Sequence, residues 1–104
     1  MSDKPVRVHV VFKFPQKENA DGFAALFRDE FIGRTRKEPG CLLYDVWRAN
    51  DDPCVVTLVE TWTTQQTLDA HLAQDWIKDL LPKAMALLGE GNHPAFHFCT
   101  SVMD

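Results

Sequence analysis

At 104 residues the chain is long enough for one hydrophobic core, and we expect a single domain spanning residues 1–104. A formal net charge of −4 without a basic stripe argues against nucleic acid as a partner. No apolar run approaches a membrane span and the three cysteines form no C-x-x-C pair, so we expect a reduced, cytoplasmic protein that does not bind membranes.

The first half of the chain predicts a strand, a helix and a second strand. Val6–Phe14 alternates an apolar face with a mixed one, which is typical of a strand with one face in the core. Asn19 is expected to cap the helix that follows. That helix has three phenylalanines at helical spacing, Phe23, Phe27 and Phe31. Glu38-Pro39-Gly40 should end it, and Cys41–Arg48 is predicted to form the second strand.

The third strand and the turn after it are the most informative stretch. Val55–Trp62 is rich in β-branched residues and alternates with period 2. This period puts Glu60 and Trp62 on one face, at the C-terminal end of the strand. Either Thr63 or Thr64 can then cap a helix. Strand, turn and helix are therefore expected to bring an indole, a carboxylate and the imidazole of His71 to the same end of the sheet–helix layer.

The rest of the chain predicts two helical segments and a last strand. The first segment has an i, i+3, i+4 stripe, made of Leu68, His71 and Leu72. Asp75 is expected to cap the second segment, and Pro82 should kink or break it because proline removes a backbone donor. Phe96–Val102 is predicted to be the last strand.

The resulting order, β-α-β-β-α-α-β, predicts an α+β fold of the ferredoxin-like split βαβ type. Its four-stranded antiparallel sheet carries the helices on one face. The other face includes Arg7, His9, Val11 and Lys13 with their counterparts on the other strands, and it is too apolar in aggregate to remain in water. Since an identical sheet would cover this face through a two-fold interface, we expect a homodimer, with His9 and His97 structural or at the interface.

Five motifs follow one another between Glu38 and Leu88: an E-P-G-C turn, a strand with an aromatic residue, a D-D-P hairpin, E-x-W and L-x-x-H-L. Together they resemble the antibiotic biosynthesis monooxygenase (ABM) family. The resemblance implies a dimeric α+β barrel with one small-molecule site per subunit, between the sheet and its own helices. It also implies a cofactor-independent monooxygenase that oxidises quinol- or anthrone-like aromatic substrates with O2, without flavin, metal or haem.

The resemblance also indicates which residues form the site. His71 is the candidate catalytic base, because an imidazole can remove a proton from a phenolic hydroxyl near neutral pH. A structural hydrogen bond is the alternative role for His71. Four aromatic residues are candidates for substrate binding: Phe27, Tyr44, Trp62 and Trp76. Relatives of the quinol-monooxygenase type often have Pro-His where this chain has Asp75-Trp76, so the identity of the base stays open.

Besides the oxygenase, two other function classes remain open. The sequence carries no metal-site motif, so a metal-dependent function is not among them. The first is a non-oxidative isomerase on the same scaffold. It would need a cationic pocket, for which Arg48 is the obvious residue. The second is a non-catalytic ligand-binding or stress-related protein, which is favoured if Trp62, Trp76 and Phe27 fill the pocket. Glu60 is expected to pair with a cation across the sheet.

Overall fold

The structure is a computed structural model that describes residues 4–104. It contains four strands, β1 (Val6–Lys13), β2 (Cys41–Arg48), β3 (Val55–Trp62) and β4 (Ala95–Cys99). It also contains four α-helices, α1 (Lys17–Leu26), α2 (Ile32–Arg36), α3 (Gln65–Leu72) and α4 (Asp75–Ala86), and a π-helical turn, Phe27–Phe31, that joins α1 to α2. The order of strands and helices is the one that the sequence predicts.

The strands form one antiparallel sheet in the order β2-β3-β1-β4. The two central strands, β1 and β3, pair along their whole length, from Val6 opposite Trp62 to Lys13 opposite Val55. Residues of β1 and β3 that face the helices are buried, as the apolar alternation of both strands requires. This arrangement confirms the predicted ferredoxin-like α+β fold.

Three stacked phenylalanines join the first helix to the sheet. The rings of Phe23 and Phe27 lie 4.4 Å apart, and those of Phe27 and Phe31 lie 4.1 Å apart and almost parallel. The second pair belongs to the π-helical turn, in which the Ile32 N–H donates to the Phe27 carbonyl five residues earlier. This wider turn sets residues four apart nearly above one another. π-Helical turns are uncommon in proteins, and those that occur are often found at functional sites. This directs attention to Phe27 and Phe31.

Several predicted helix boundaries are wrong. The first helix begins at Lys17 after Gln16, so Asn19 lies inside it and caps nothing. Gln74 rather than Asp75 is the residue before α4. α4 also continues through Pro82, because a proline in a partly exposed helix forfeits one backbone hydrogen bond that the surrounding turns can tolerate. The last strand is shorter than predicted and ends at Cys99.

The face of the sheet that turns away from the helices is uncovered in the single chain. Trp47 is 54% exposed on this face, and Leu43 is also exposed. His9 and His97 are direct partners on neighbouring strands here. The structure thus reproduces the partly apolar outer face on which the expectation of a homodimer rests.

Candidate active site

A cavity of about 230 Å³ lies between the helix-facing side of the sheet and the helices. Most of its lining is apolar and aromatic, including Phe27 and Phe31 of the π-helical turn. Three lining residues carry groups that can exchange protons: Tyr44, Glu60 and His71. An apolar cleft with a few convergent polar groups is the usual form of a small-molecule site.

The cavity opens beside β4. Two of its lining residues, Leu72 and Phe96, are 48% and 60% exposed, whereas the other lining side chains are buried or half-buried. Phe96 pairs with Val10 and therefore stands on the helix-facing side of the sheet, at an edge that the helices leave uncovered. We infer that a ligand enters between Leu72 and Phe96.

The start of α3 fixes the position of His71. Of the two candidate caps Thr64 is the one that caps this helix, and its hydroxyl accepts a hydrogen bond from the Thr67 N–H at 3.2 Å. The Thr67 hydroxyl in turn accepts from the Thr64 N–H, which completes a capping box. Two turns later His71 is buried, with its ring centroid 4.9 Å from that of Trp62. The helix stripe therefore points the imidazole into the layer between helix and sheet.

The turn before β2 brings Glu38 to His71. The Thr63 N–H donates to the Gly40 carbonyl at 2.8 Å, so the turn packs directly against the start of α3. Gly40 has φ +84°, and a Cβ at this position would lie 2.5 Å from the Thr67 Cγ2. Only glycine combines this backbone conformation with so close an approach. The E-P-G segment is therefore a docked turn as well as the end of a helix.

Glu38 holds one nitrogen of the imidazole. Its Oε1 lies 2.9 Å from the His71 Nδ1, and its side chain is 15% exposed. When Glu38 is ionised its carboxylate can only accept hydrogen bonds, and Nδ1 then carries the proton in this pair. In the neutral ring Nε2 is then the unprotonated nitrogen, and it has no hydrogen-bond partner among residues 4–104. Such an imidazole is oriented to take a proton from a ligand.

Glu60 is the second acidic residue of the site, and it forms no ion pair with a cation across the sheet. Its cross-strand neighbours are Val8 and Tyr44, and its Oε1 accepts a hydrogen bond from the Trp62 Nε1 at 3.0 Å. Burial raises the pKa of the Glu60 carboxyl, although the Trp62 hydrogen bond and the nearby His71 oppose this effect. The expected cation pairing is wrong because the helix-facing side of β3 holds no basic partner in the described chain.

Tyr44 is the third group that can lose a proton. Burial, reinforced by the charge of Glu60, raises the pKa of its phenol well above the ordinary value. The hydroxyl therefore stays protonated at neutral pH and does not act as a base. The edge of the His71 ring faces Tyr44 at 5.6 Å between centroids. Tyr44 thus forms a neutral, polar part of the cavity wall.

The structure places the five predicted site residues in two groups. His71, Tyr44 and Phe27 line the cavity. Trp62 does not, because it is fully buried behind Glu60 and His71, and the expectation that its ring lines the pocket is corrected to a supporting position. Trp76 is also outside the lining. Its ring packs against Phe31 at 5.4 Å, with the Arg34 guanidinium over it on the outside.

Sequence reasoning missed Glu38 as part of the site and assigned Glu60 another role. A signal for Glu38 does exist in the strand pairing. Cys41 at the start of β2 pairs with Trp62 at the end of β3, so the residues before β2 adjoin the helix that follows β3. A helix of eight residues then brings its last turn close to that turn. The contact depends on the register of β2 and β3, and periodicity alone does not give a register.

Two other kinds of site were sought in the described chain. Residues 4–104 contain no group of three or more histidine, cysteine, aspartate or glutamate side chains arranged to hold a metal ion. None of the helices in this range is long and apolar enough to cross a membrane.

Comparison with protein families decides the identity of the fold. The model of the antibiotic biosynthesis monooxygenase family matches residues 5–82, three quarters of the chain. The chain belongs to this family. The matched range includes Glu38, Glu60 and His71 and leaves out Phe96 at the cavity mouth. A comparison with proteins of curated function finds no match.

Solved structures agree with the family assignment. A structure described as an antibiotic biosynthesis monooxygenase is 26% identical, covers 93% of this chain and 98% of its own, and superposes with a TM-score of 0.79. Rv0793 from Mycobacterium tuberculosis is 25% identical, covers 95% of this chain and 96% of its own, and has a TM-score of 0.80. A conserved protein from Methanosarcina mazei Go1 is 25% identical, covers 91% of this chain and 92% of its own, and has a TM-score of 0.78. All three structures thus match this chain nearly end to end.

Proposed function

We propose that the chain is a cofactor-independent monooxygenase that oxidises small quinol-like aromatic compounds with O2, with His71 as the base. The observation that carries this proposal is the His71 imidazole in an apolar cavity, with Nδ1 held by Glu38 and Nε2 left without a protein partner. Family membership supports the reaction class. Glu38 acts through His71 and is a positioning residue.

The reaction needs little from the protein beyond this arrangement. The Nε2 of His71 takes the proton of a phenolic hydroxyl, and the resulting anion passes one electron to O2. The aryloxyl radical and superoxide combine to form a carbon–oxygen bond, and the peroxide then loses water. One oxygen atom of O2 becomes a quinone carbonyl, the other leaves as water, and the substrate supplies all the electrons. An apolar cavity between sheet and helices limits the access of bulk water to the radical pair.

The size of the cavity selects among aromatic substrates. Its volume of about 230 Å³ is below the range of roughly 300–1,000 Å³ that is common for ligand pockets. A one- or two-ring quinol therefore suits it better than a three-ring anthrone. The stacked Phe27 and Phe31 offer a flat apolar wall against which such a ring can pack.

The two other function classes fit the cavity less well. An isomerase of phosphorylated compounds needs a cation in the pocket, yet Arg48 donates to Asp21 at 2.7 Å and is not part of the lining. A pocket filled with aromatic rings would indicate a non-catalytic ligand-binding or stress-related protein. Trp62 and Trp76 lie outside the cavity, which stays open. These contacts favour the oxygenase.

We also propose that the protein acts as a homodimer joined through the outer faces of its sheets. Trp47 and Leu43 are exposed on that face. Face-to-face packing of the partner's sheet against this one would remove these side chains from water. The cavity lies on the opposite side of the sheet, so this interface leaves its mouth open.

Oxygen uptake over a panel of one- and two-ring quinols tests the proposed function. His71→Ala should lower the rate about 10²–10⁴-fold, the usual contribution of a positioned base, in a protein that remains folded. The matched control is His93→Ala, which removes an exposed histidine from the loop before β4. A His71→Ala protein that is destabilised but as active per molecule as the wild type would end the proposal.

A further inference from the structure

Glu60 is a buried carboxyl group that the reaction above does not use. One of its oxygens, Oε1, accepts the Trp62 indole N–H, and Oε2 has no hydrogen-bond partner among residues 4–104. The same side chain lines the cavity together with His71. One oxygen of a cavity-lining carboxyl group is therefore left without a protein partner, although the polar Tyr44 and His71 side chains line the same cavity.

The surroundings of Glu60 decide which protonation state suits it. The titratable groups that act on it are His71 from α3, Tyr44 and Cys41 from β2, and Glu38 from the turn. β1 contributes only Val8 opposite it. No lysine or arginine lines the cavity, so a carboxylate here would be buried without a permanent cation. A neutral carboxyl group avoids that cost and gains an O–H donor.

We propose that Glu60 works in its protonated form, donating a hydrogen bond from Oε2 to a carbonyl oxygen of the ligand while the His71 Nε2 removes the ligand's proton. This inference rests on the proposed function, since it assigns the second polar contact of the same site. In the step itself the O–H or C–H proton of the ligand moves to Nε2, and its electron pair spreads onto the carbonyl oxygen. Glu60 keeps its proton throughout. The burial that raises the pKa of Glu60 agrees with this role.

The arrangement narrows the class of substrate. A base and a hydrogen-bond donor on one cavity suit a molecule whose acidic hydroxyl or C–H is conjugated to a ketone. The negative charge then develops on an oxygen that already has a donor, which is how enzymes stabilise such anions. We therefore expect one- or two-ring hydroxyaryl ketones, or aryl ketones with an acidic α-C–H, to bind better than hydroquinones without a carbonyl group.

Two probes that cannot turn over test the carbonyl contact apart from the oxygenase reaction. 1-Tetralone and tetralin have the same two-ring frame, and only the first has a carbonyl oxygen. Their dissociation constants are measured by calorimetry in a pH series from about pH 5 to about pH 9, because Glu60 can donate a hydrogen bond only while it is protonated. Relative to tetralin, the affinity for tetralone should fall roughly two- to tenfold with rising pH, the value of one neutral hydrogen bond.

Glu60→Gln is the deciding variant. The glutamine amide still accepts from the Trp62 indole and still offers an N–H to a ketone, but it does not titrate. The Glu60→Gln protein should keep the affinity for tetralone, and this affinity should no longer depend on pH. An unchanged pH dependence in Glu60→Gln would assign the effect to His71 and overturn the proposal, as would equal behaviour of the two probes at every pH. Since neither probe is oxidised, these results stand whether or not oxygen uptake is found.

Discussion

Glu38→Gln is the sharpest test of how this site works, because it changes one atom of a residue outside the cavity. Wild-type Glu38 accepts from the His71 Nδ1 at 2.9 Å, and this contact keeps Nε2 free of its proton. A glutamine at the same place can turn its NH2 toward Nδ1. The ring would then carry its proton on Nε2, which is the nitrogen that must act as the base. The substitution thus offers the site a second, inactive tautomer.

The size of the effect follows from burial. Where a fully buried carboxylate orients a catalytic imidazole, its amide replacement costs about 10⁴-fold in rate. Glu38 is 15% exposed, so water can partly take its place, and we expect a loss of about 10²-fold. This loss should fall on kcat with KM almost unchanged, because Glu38 does not line the cavity. Stability should fall by about 1 kcal/mol, since a neutral hydrogen bond replaces a stronger charged one.

Steady-state oxygen uptake with an accepted quinol measures this prediction, with thermal unfolding of the same preparation. Glu90→Gln is the matched control, because it makes the same change on an exposed loop. Glu38→Asp is a second comparison. Aspartate keeps the charge, but its side chain is one methylene shorter, so its carboxylate cannot lie 2.9 Å from the His71 Nδ1 unless the turn moves. If Glu38→Gln turned over at the wild-type rate while His71→Ala lost activity, the tautomer argument would be refuted.

Three further predictions concern the core and the outer face. In denaturant titrations Glu60→Gln should raise the free energy of unfolding more at about pH 8 than at about pH 4. The reason is that a carboxyl of raised pKa stabilises the fold while it is protonated, and this contribution is lost as the pH rises through the folded-state pKa. Trp62→Phe should cost about 1–3 kcal/mol in the same assay, since it removes the N–H donor of a buried carboxyl oxygen, yet it should leave tetralone affinity within about threefold. Light scattering should show a wild-type dimer at micromolar concentration and a monomer for Trp47→Glu, which buries a charge in the proposed interface; a wild-type monomer would contradict the dimer.

The elements of the fold could be predicted from the sequence because each has a strong local signal. The bounds of β2 and β3 are those that the alternation predicts, and Thr64 is the cap that its position suggests. The errors at Asn19 and Asp75 have one cause. Both side chains are good caps in isolation, but the packing of the apolar stripe decides where each helix begins, and the first N–H groups can be satisfied in other ways.

The site was harder to predict because it depends on contacts between distant parts of the chain. The stripe on α3 correctly directs His71 toward the sheet. Nothing in that stripe shows that Glu38, 33 residues away, will reach its Nδ1. The π-helical turn has no sequence signature either, and it determines that Phe27 and Phe31 stack to form a wall. Trp62 was placed on the right face and at the right end, but whether a ring lines a cavity or lies behind it depends on its neighbours.

Three largely buried, titratable side chains, Glu38, Glu60 and His71, lie together in the described part of the chain, and that is the strongest physical reason to regard the cavity as a site. A fold of this kind needs only apolar side chains between sheet and helices, and each buried polar group costs free energy unless it is paired. Yet Glu60 and His71 are both buried there, and the Glu38 Oε2 is buried without a partner beside them. Such departures from good packing persist where function requires them. Leucine at positions 60 and 71 would pack without this cost, so the burial of Glu60 and His71 favours a role for both in the cavity.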